Sequence, residues 1–356
     1  MITNKNYLYL KNNLKIMGCL KFFGNAKKIK EKEVIIVPGL SNFEGNCYLN
    51  SILQCFYYCN DLTKYFINNE KEIINKGGKL SNAYLKLILK LNKKEKYNDA
   101  KIFLNTLKEV SYNFFKKGGN DPKAVLFYLL ENLHNELKDK NMKYNEEDIC
   151  CEDIDQDKAF EKCKNNEENN KSIISELFNW CILTKNECIK CGNTHHTCEY
   201  KNTILIELNK YESFKQKMVS ILDLINFYFS DVENHFICNT DTEVIKAKFT
   251  KKIISLPQYL IIILNRDIIK FHVKYDDTID LSDYCINENK TKYKFIGACL
   301  TNDFGNNLGT HAVSRCITSE GSYIFNDLLT YKNCNDIDGY TPYILFYKKN
   351  NIYIYN

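Results

Sequence analysis

Gly39-Leu40-Ser41-Asn42-Phe43-Glu44-Gly45-Asn46-Cys47-Tyr48-Leu49-Asn50-Ser51-Ile52-Leu53-Gln54-Cys55-Phe56 is the stretch from which the rest of the chain is read. From 47 to 66 the residues Leu49, Ile52, Leu53, Phe56, Tyr57 and Leu62 recur at helical spacing, and Pro38-Gly39 marks a loop upstream. Cys47 therefore sits at a helix start, where orphan amides and the helix dipole favour a thiolate. On spacing alone, a small core cysteine at a helix N-terminus is the more ordinary reading.

Working outward, the pattern predicts further helices over 83–91, 100–115 and 123–137, the last after the start signal Asn120-Asp121-Pro122. Residues 141–171 turn acidic and polar and read as an exposed, poorly ordered insertion. Beyond them the chain breaks into short strand-like runs at 203–208, 247–254, 259–264, 292–299, 310–318, 322–327 and 343–348. An α-rich first half and a β-rich second half give an α+β protein. Residues 1–33 read as a flexible lead-in, 34–349 as the folded body and 350–356 as a tail.

The chain has 356 residues, 44% hydrophobic and 13% aromatic, enough to fill one large or two modest cores. Its net charge of +5 is spread along the chain, so no nucleic-acid partner is expected. No secretory signal core or membrane-spanning run is visible, which points to the cytosol or nucleus. There the 16 cysteines stay reduced and act as core filler, metal ligands or catalysts. Met17-Gly18-Cys19 would suit N-acylation if translation began at Met17.

A thiolate needs a base, and few histidines are available: the chain has 6. His311 opens a strand-like run, Leu308-Gly309-Thr310-His311-Ala312-Val313-Ser314-Arg315-Cys316, after a Gly- and Asn-rich loop. Ser322-Tyr323-Ile324-Phe325-Asn326-Asp327 could supply a group to orient the imidazole, or simply a strand-end turn. Asp121 reads as a helix cap ahead of Pro122.

Together these segments resemble the ubiquitin-specific proteases. That family's nucleophile segment runs Gly-Leu-x-Asn-x-Gly-Asn-Thr-Cys-Tyr-Met-Asn-Ser-x-Leu-Gln-Cys-Leu. Leu40, Asn42, Cys47, Tyr48, Asn50, Ser51, Leu53, Gln54 and Cys55 fall in its register. The His311 and Asn326 segments, Gly339-Tyr340-Thr341-Pro342-Tyr343-Ile344-Leu345-Phe346-Tyr347, and the helix after Asp121 are also similar, in the family's order. The resemblance implies a papain-like cysteine protease fold with a helical thumb (about 39–180), β fingers (about 181–255) and a β palm (about 256–349). It implies Cys47 as nucleophile, His311 as base, Asn326 as its orienter with Asp327 in support, and Asn42 as a donor to the oxyanion. It also implies ubiquitin and ubiquitinated proteins as partners, with Asp121 contacting ubiquitin's basic tail, and a monomer that needs no cofactor for catalysis. Departures are Glu44-Gly45-Asn46 where the family has Gly-Asn-Thr, Ala312 where an aromatic follows the histidine, and Ser322 where it has tryptophan.

Cys188-Ile189-Lys190-Cys191-Gly192 has the spacing with which two thiolates grip zinc. Where the family often supplies a second pair this chain reads Cys238-Asn239-Thr240-Asp241, so the residues allow either a structural Cys3Asp site, with His195, His196 or Cys198 as substitutes, or a decayed site whose fingers hold together by strand pairing alone. Two other functional classes remain: a catalytically weak or inactive ubiquitin-binding pseudoprotease, and a zinc-dependent nucleic-acid or scaffold module. The second leaves the Cys47 and His311 segments unexplained.

Overall fold

The computed structural model describes residues 37–43, 45–76, 78–94, 98–111, 121–138, 151–153, 155–211, 218–237, 244–266, 272–302, 311–332, 337 and 339–350. The lead-in and Met17-Gly18-Cys19, Glu44, Cys238 and Asp241 lie outside the described residues.

Helix α1 (Cys47–Tyr57) is buried on nearly every side, from Cys47 through Phe56. A helix wrapped by protein is a central one. It lies between other helices and the face of the sheet around the interior strand Ala312–Thr318. The apolar run over 47–66 is not one helix: at Cys59, ψ 79°, the chain breaks and α2 (Asn60–Asn68) begins. The break lets the Asp61 backbone N–H donate to Tyr259 Oη at 3.0 Å. Helices α3 (Glu70–Lys76), α4 (Lys79–Asn92), α5 (Lys101–Val110) and α6 (Pro122–Leu137) complete this helical half. α6 starts as the sequence predicts, with Asp121 capping Lys123 N and proline in the first turn.

The β half contains an eight-stranded and a five-stranded sheet. In the larger, β14 (Leu329–Lys332), β13 (Gly321–Asn326), β12 (Ala312–Thr318), β11 (Lys292–Asn302), β15 (Tyr340–Lys349), β8 (Tyr259–Asn265) and β4 (Ile204–Glu207) lie in that order, and β10 (Thr278–Asp280) pairs with β11. β8 reads as unbroken apolar sequence because both of its faces are covered. Tyr259, Ile261 and Ile263 point into the core shared with α1 and its neighbours, while Leu260, Ile262 and Leu264 point into a second core on the far side. This is the two-residue period of a strand.

The finger sheet runs β1 (Cys151–Asp153), β3 (Thr194–Lys201), β2 (Trp180–Cys188), β7 (Val244–Ser255), β6 (Val232–Ile237). Two expectations need correction. Residues 204–211 and 218–229, read as fingers, leave that sheet: β4 joins the palm parallel to β8, and α9 (Ile221–Phe229) packs its Leu224 and Ile225 into the second core. And 141–171 is not structureless, since it contributes β1 and helix α7 (Gln156–Asn169), followed by α8 (Ile173–Phe178). Asp155 caps α7, accepting from Asp157 N and Lys158 N. Its buried side chains are only Ala159 and Cys163, too sparse a stripe to register as helical periodicity. A short sheet of β5 (Met218–Ser220) and β9 (His272–Lys274) completes the fold.

Candidate active site

The nucleophile segment has to turn sharply into α1. Gly45 does this with φ +76°, a left-handed conformation that glycine adopts without strain, so the glycine displaced by one position still serves the turn. Asn42, Asn46 and Asn50, four residues apart, then interlock. Asn46 N donates to Asn42 Oδ1 at 2.9 Å, Asn46 Oδ1 accepts from Phe43 N at 2.7 Å, and Asn46 Nδ2 donates to Asn50 Oδ1 at 3.1 Å. Cys47 follows at the helix N-terminus, only 7% exposed.

The other half of the site comes from β12, β13 and the turn after β13. His311 is bracketed by Asn302 on the adjacent strand: its N–H donates to Asn302 Oδ1, and its carbonyl accepts from Asn302 N at 3.0 Å. Its Nε2 lies 2.8 Å from Asn326 Oδ1. A carbonyl oxygen can only accept, so Nε2 carries the proton. The nitrogen left for the Cys47 thiol, with which His311 also hydrogen-bonds, is Nδ1. Burial pushes the imidazole pKa down, but the bonds to Cys47 and Asn326 and the charges of Cys47 and Asp327 outweigh it and raise the value to about 9. At neutral pH the imidazole is thus protonated and faces sulfur.

Asp327 joins the two halves. Its Oδ2 accepts from Asn42 Nδ2 at 2.9 Å and its Oδ1 from Asn50 Nδ2 at 2.9 Å, while its backbone carbonyl accepts from Leu40 N at 3.0 Å. It stands 3.9 Å from His311 Nε2. Gly39 is needed at this contact, because a Cβ there would come within 2.5 Å of the Asp327 carbonyl oxygen.

The structure therefore brings Cys47, His311, Asn326, Asp327 and Asn42 to one place. Asp121 belongs to the adjoining α6 start, with Oδ1 on Lys123 N and Oδ2 accepting from Tyr343 Oη at 3.0 Å. Ala312 is buried in the helical core beneath α1 rather than presented at the surface. Sequence reasoning assigned no role to Asn46 or Asn50. Their four-residue spacing was the available signal, and it was lost among the many asparagines of this chain.

Of the expected metal ligands, Cys188 and Cys191 form a knuckle. Cys191 N lies 3.4 Å from Cys188 Sγ, Gly192 N donates to the Cys188 carbonyl at 2.9 Å, and Gly192 has φ +74°. That half fits a thiolate-bound zinc. Cys198 is no substitute ligand there: it pairs with Leu183, five residues along β2 from Cys188, and its sulfur lies 3.1 Å from Cys181 Sγ.

Residues 38–347 match the family described as ubiquitin carboxyl-terminal hydrolase. Among similar proteins, "Probable ubiquitin carboxyl-terminal hydrolase 4" of Schizosaccharomyces pombe is 25% identical over 64% of this chain and 41% of that protein. "Ubiquitin carboxyl-terminal hydrolase Usp2" of Drosophila melanogaster is 23% identical over 87% of this chain and 34% of that protein. "Ubiquitin carboxyl-terminal hydrolase 25" of Arabidopsis thaliana is 22% identical over 88% and 47%. The chain thus spans less than half the length of each of these relatives. A solved structure of the yeast SAGA DUBm with a mutant Sgf73 shares the fold, with TM-score 0.67 at 15% identity, over 98% of this chain and 75% of that one.

Proposed function

The chain belongs to the ubiquitin carboxyl-terminal hydrolase family, and on that premise we propose that it is a thiol-dependent deubiquitinase that cuts the bond after the C-terminal glycine of ubiquitin. The observation that carries the reading is His311 held between the Cys47 thiol and Asn326 Oδ1.

The Cys47 thiolate attacks the terminal glycine carbonyl. The carbonyl oxygen takes up negative charge beside the first amides of α1, and Asn42 Nδ2, which has a second hydrogen beyond the one directed at Asp327, is the side-chain donor for it. The proton on His311 Nδ1 passes to the leaving amine, the C–N bond breaks, and a thioester on Cys47 remains. His311, now neutral at Nδ1, takes a proton from water, whose oxygen attacks the thioester and releases ubiquitin. Asn326 keeps the imidazole in register throughout. Zinc on the Cys188–Cys191 knuckle would be structural and takes no part in these steps.

A ubiquitin probe with a C-terminal electrophile tests this. The expected outcome is one covalent adduct that maps to Cys47 and vanishes in Cys47→Ala. Ubiquitin binding without an adduct would instead support the pseudoprotease reading.

A further inference from the structure

Three cysteines that the chemistry above does not use meet at the base of the finger sheet. Cys163 comes from α7, Cys181 from the start of β2 and Cys198 from β3, and all three are buried with their sulfurs within 4.8 Å of one another. Cys181 Sγ and Cys198 Sγ stand 3.1 Å apart, well beyond the roughly 2.05 Å of a disulfide. Thiolates around a tetrahedral zinc at about 2.3 Å are spaced by roughly 3.8 Å, the scale of this trio. Among the described residues it is the one group of three or more histidine, cysteine or carboxylate donors drawn so close.

Buried thiols often serve as small apolar side chains. The helix above them makes that reading insufficient. α7 is 14 residues long, yet its buried side chains are Ala159 and Cys163 alone. Beyond these two, the helix offers the cluster only the half-buried Phe160, a small apolar area to hold a polar helix on a sheet. A bond from Cys163 to an ion that also grips β2 and β3 would hold it.

We propose that Cys163, Cys181 and Cys198 bind a structural zinc ion that fastens α7 to the finger sheet. Binding releases the thiol protons to solvent and changes no oxidation state. The site is distinct from the Cys188–Cys191 knuckle, which lies at the other end of β2, about 16–23 Å away at 3.3 Å per residue.

The test uses the full chain carrying Cys188→Ser and Cys191→Ser, which removes the knuckle. Zinc measured by mass spectrometry should remain at one equivalent per chain, and adding Cys163→Ser should remove it. Cobalt exchanged into the knuckle-less protein should give the thiolate charge-transfer and tetrahedral bands of a sulfur-rich site, a readout that needs no further substitution to fold. Absence of zinc and of cobalt bands from the knuckle-less protein overturns the proposal. So does retention of the equivalent after Cys163→Ser, or a Cys181–Cys198 disulfide found by peptide mapping.

Discussion

Asp327 adopts φ 54°, a left-handed conformation that aspartate tolerates better than most residues, and this turns its carboxylate back toward the nucleophile segment. His311 and Asn326 arrive beside Cys47 because that carboxylate holds Asn42 and Asn50. Asn326 has a separate effect that pH can read. Its bond is one of the interactions that raise His311 to about 9, so the alkaline limb of kcat/KM should fall near pH 9. In Asn326→Ala that limb should move to lower pH, toward the ordinary 6.5, as a pH–rate profile would record. Stability carries the same sign. A raised folded-state pKa stabilises the protein fully below about pH 6.5, and that contribution fades as pH rises through about 9. Removing the proposed base, His311→Ala, should cost roughly 10²–10⁴-fold in turnover of a ubiquitin amide. At this scale the sequence pointed to Cys47, His311 and Asn326 in chain order, and the fold brings the three side chains together. The sequence could not disclose that Asp327 accepts from Asn50, a contact across 277 residues that only the folded register creates.

The elements that carry these residues depend on two glycines for different reasons. At Gly39 a methyl would strike the Asp327 and Leu328 backbone at 2.5–2.7 Å, so Gly39→Ala should push the nucleophile loop away from β13. Probe labelling should fall while the melting temperature drops by the equivalent of about 1–3 kcal/mol. At Gly45 nothing lies within 4 Å, and Gly45→Ala meets only the left-handed strain, about 1–2 kcal/mol, which a denaturant titration would measure. Asp121→Ala loses the α6 cap and the Tyr343 contact and should cost roughly 0.5–2 kcal/mol by the same titration. Strongly periodic elements such as β8 and α6 were legible because burial imposed their pattern. α7 was not, because a helix that buries two small side chains leaves almost no periodic trace.

Across the whole molecule the helical half and the palm meet at Asp61. Its Oδ2 accepts from Tyr259 Oη and Lys348 Nζ, each at 2.9 Å, and Tyr259 Oη in turn accepts from Asp61 N. Tyr259→Phe deletes the hydroxyl and leaves the ring packed against Phe178, so it should cost about 1 kcal/mol in the midpoint of unfolding and spare the rate of probe labelling. The fold class followed from the division of helical and strand patterns along the chain. The exchange of 204–211 and 218–229 from fingers to palm did not, since it depends on the parallel pairing of β4 with β8.

The last described strand, β15, lies in the interior of the eight-stranded sheet between β11 and β8. A ribosome that makes about 5–20 residues per second needs on the order of 15–55 s to travel the 277 residues from Asn50 to Asp327. For most of that interval, until His311 is made, the nascent chain holds Cys47 without its histidine partner, and throughout it the sheet has a gap where β15 will insert. A nascent chain still lacking residues 311–327 therefore cannot assemble the Cys47 site, and any message truncated before Tyr340 would yield a chain that lacks an interior strand.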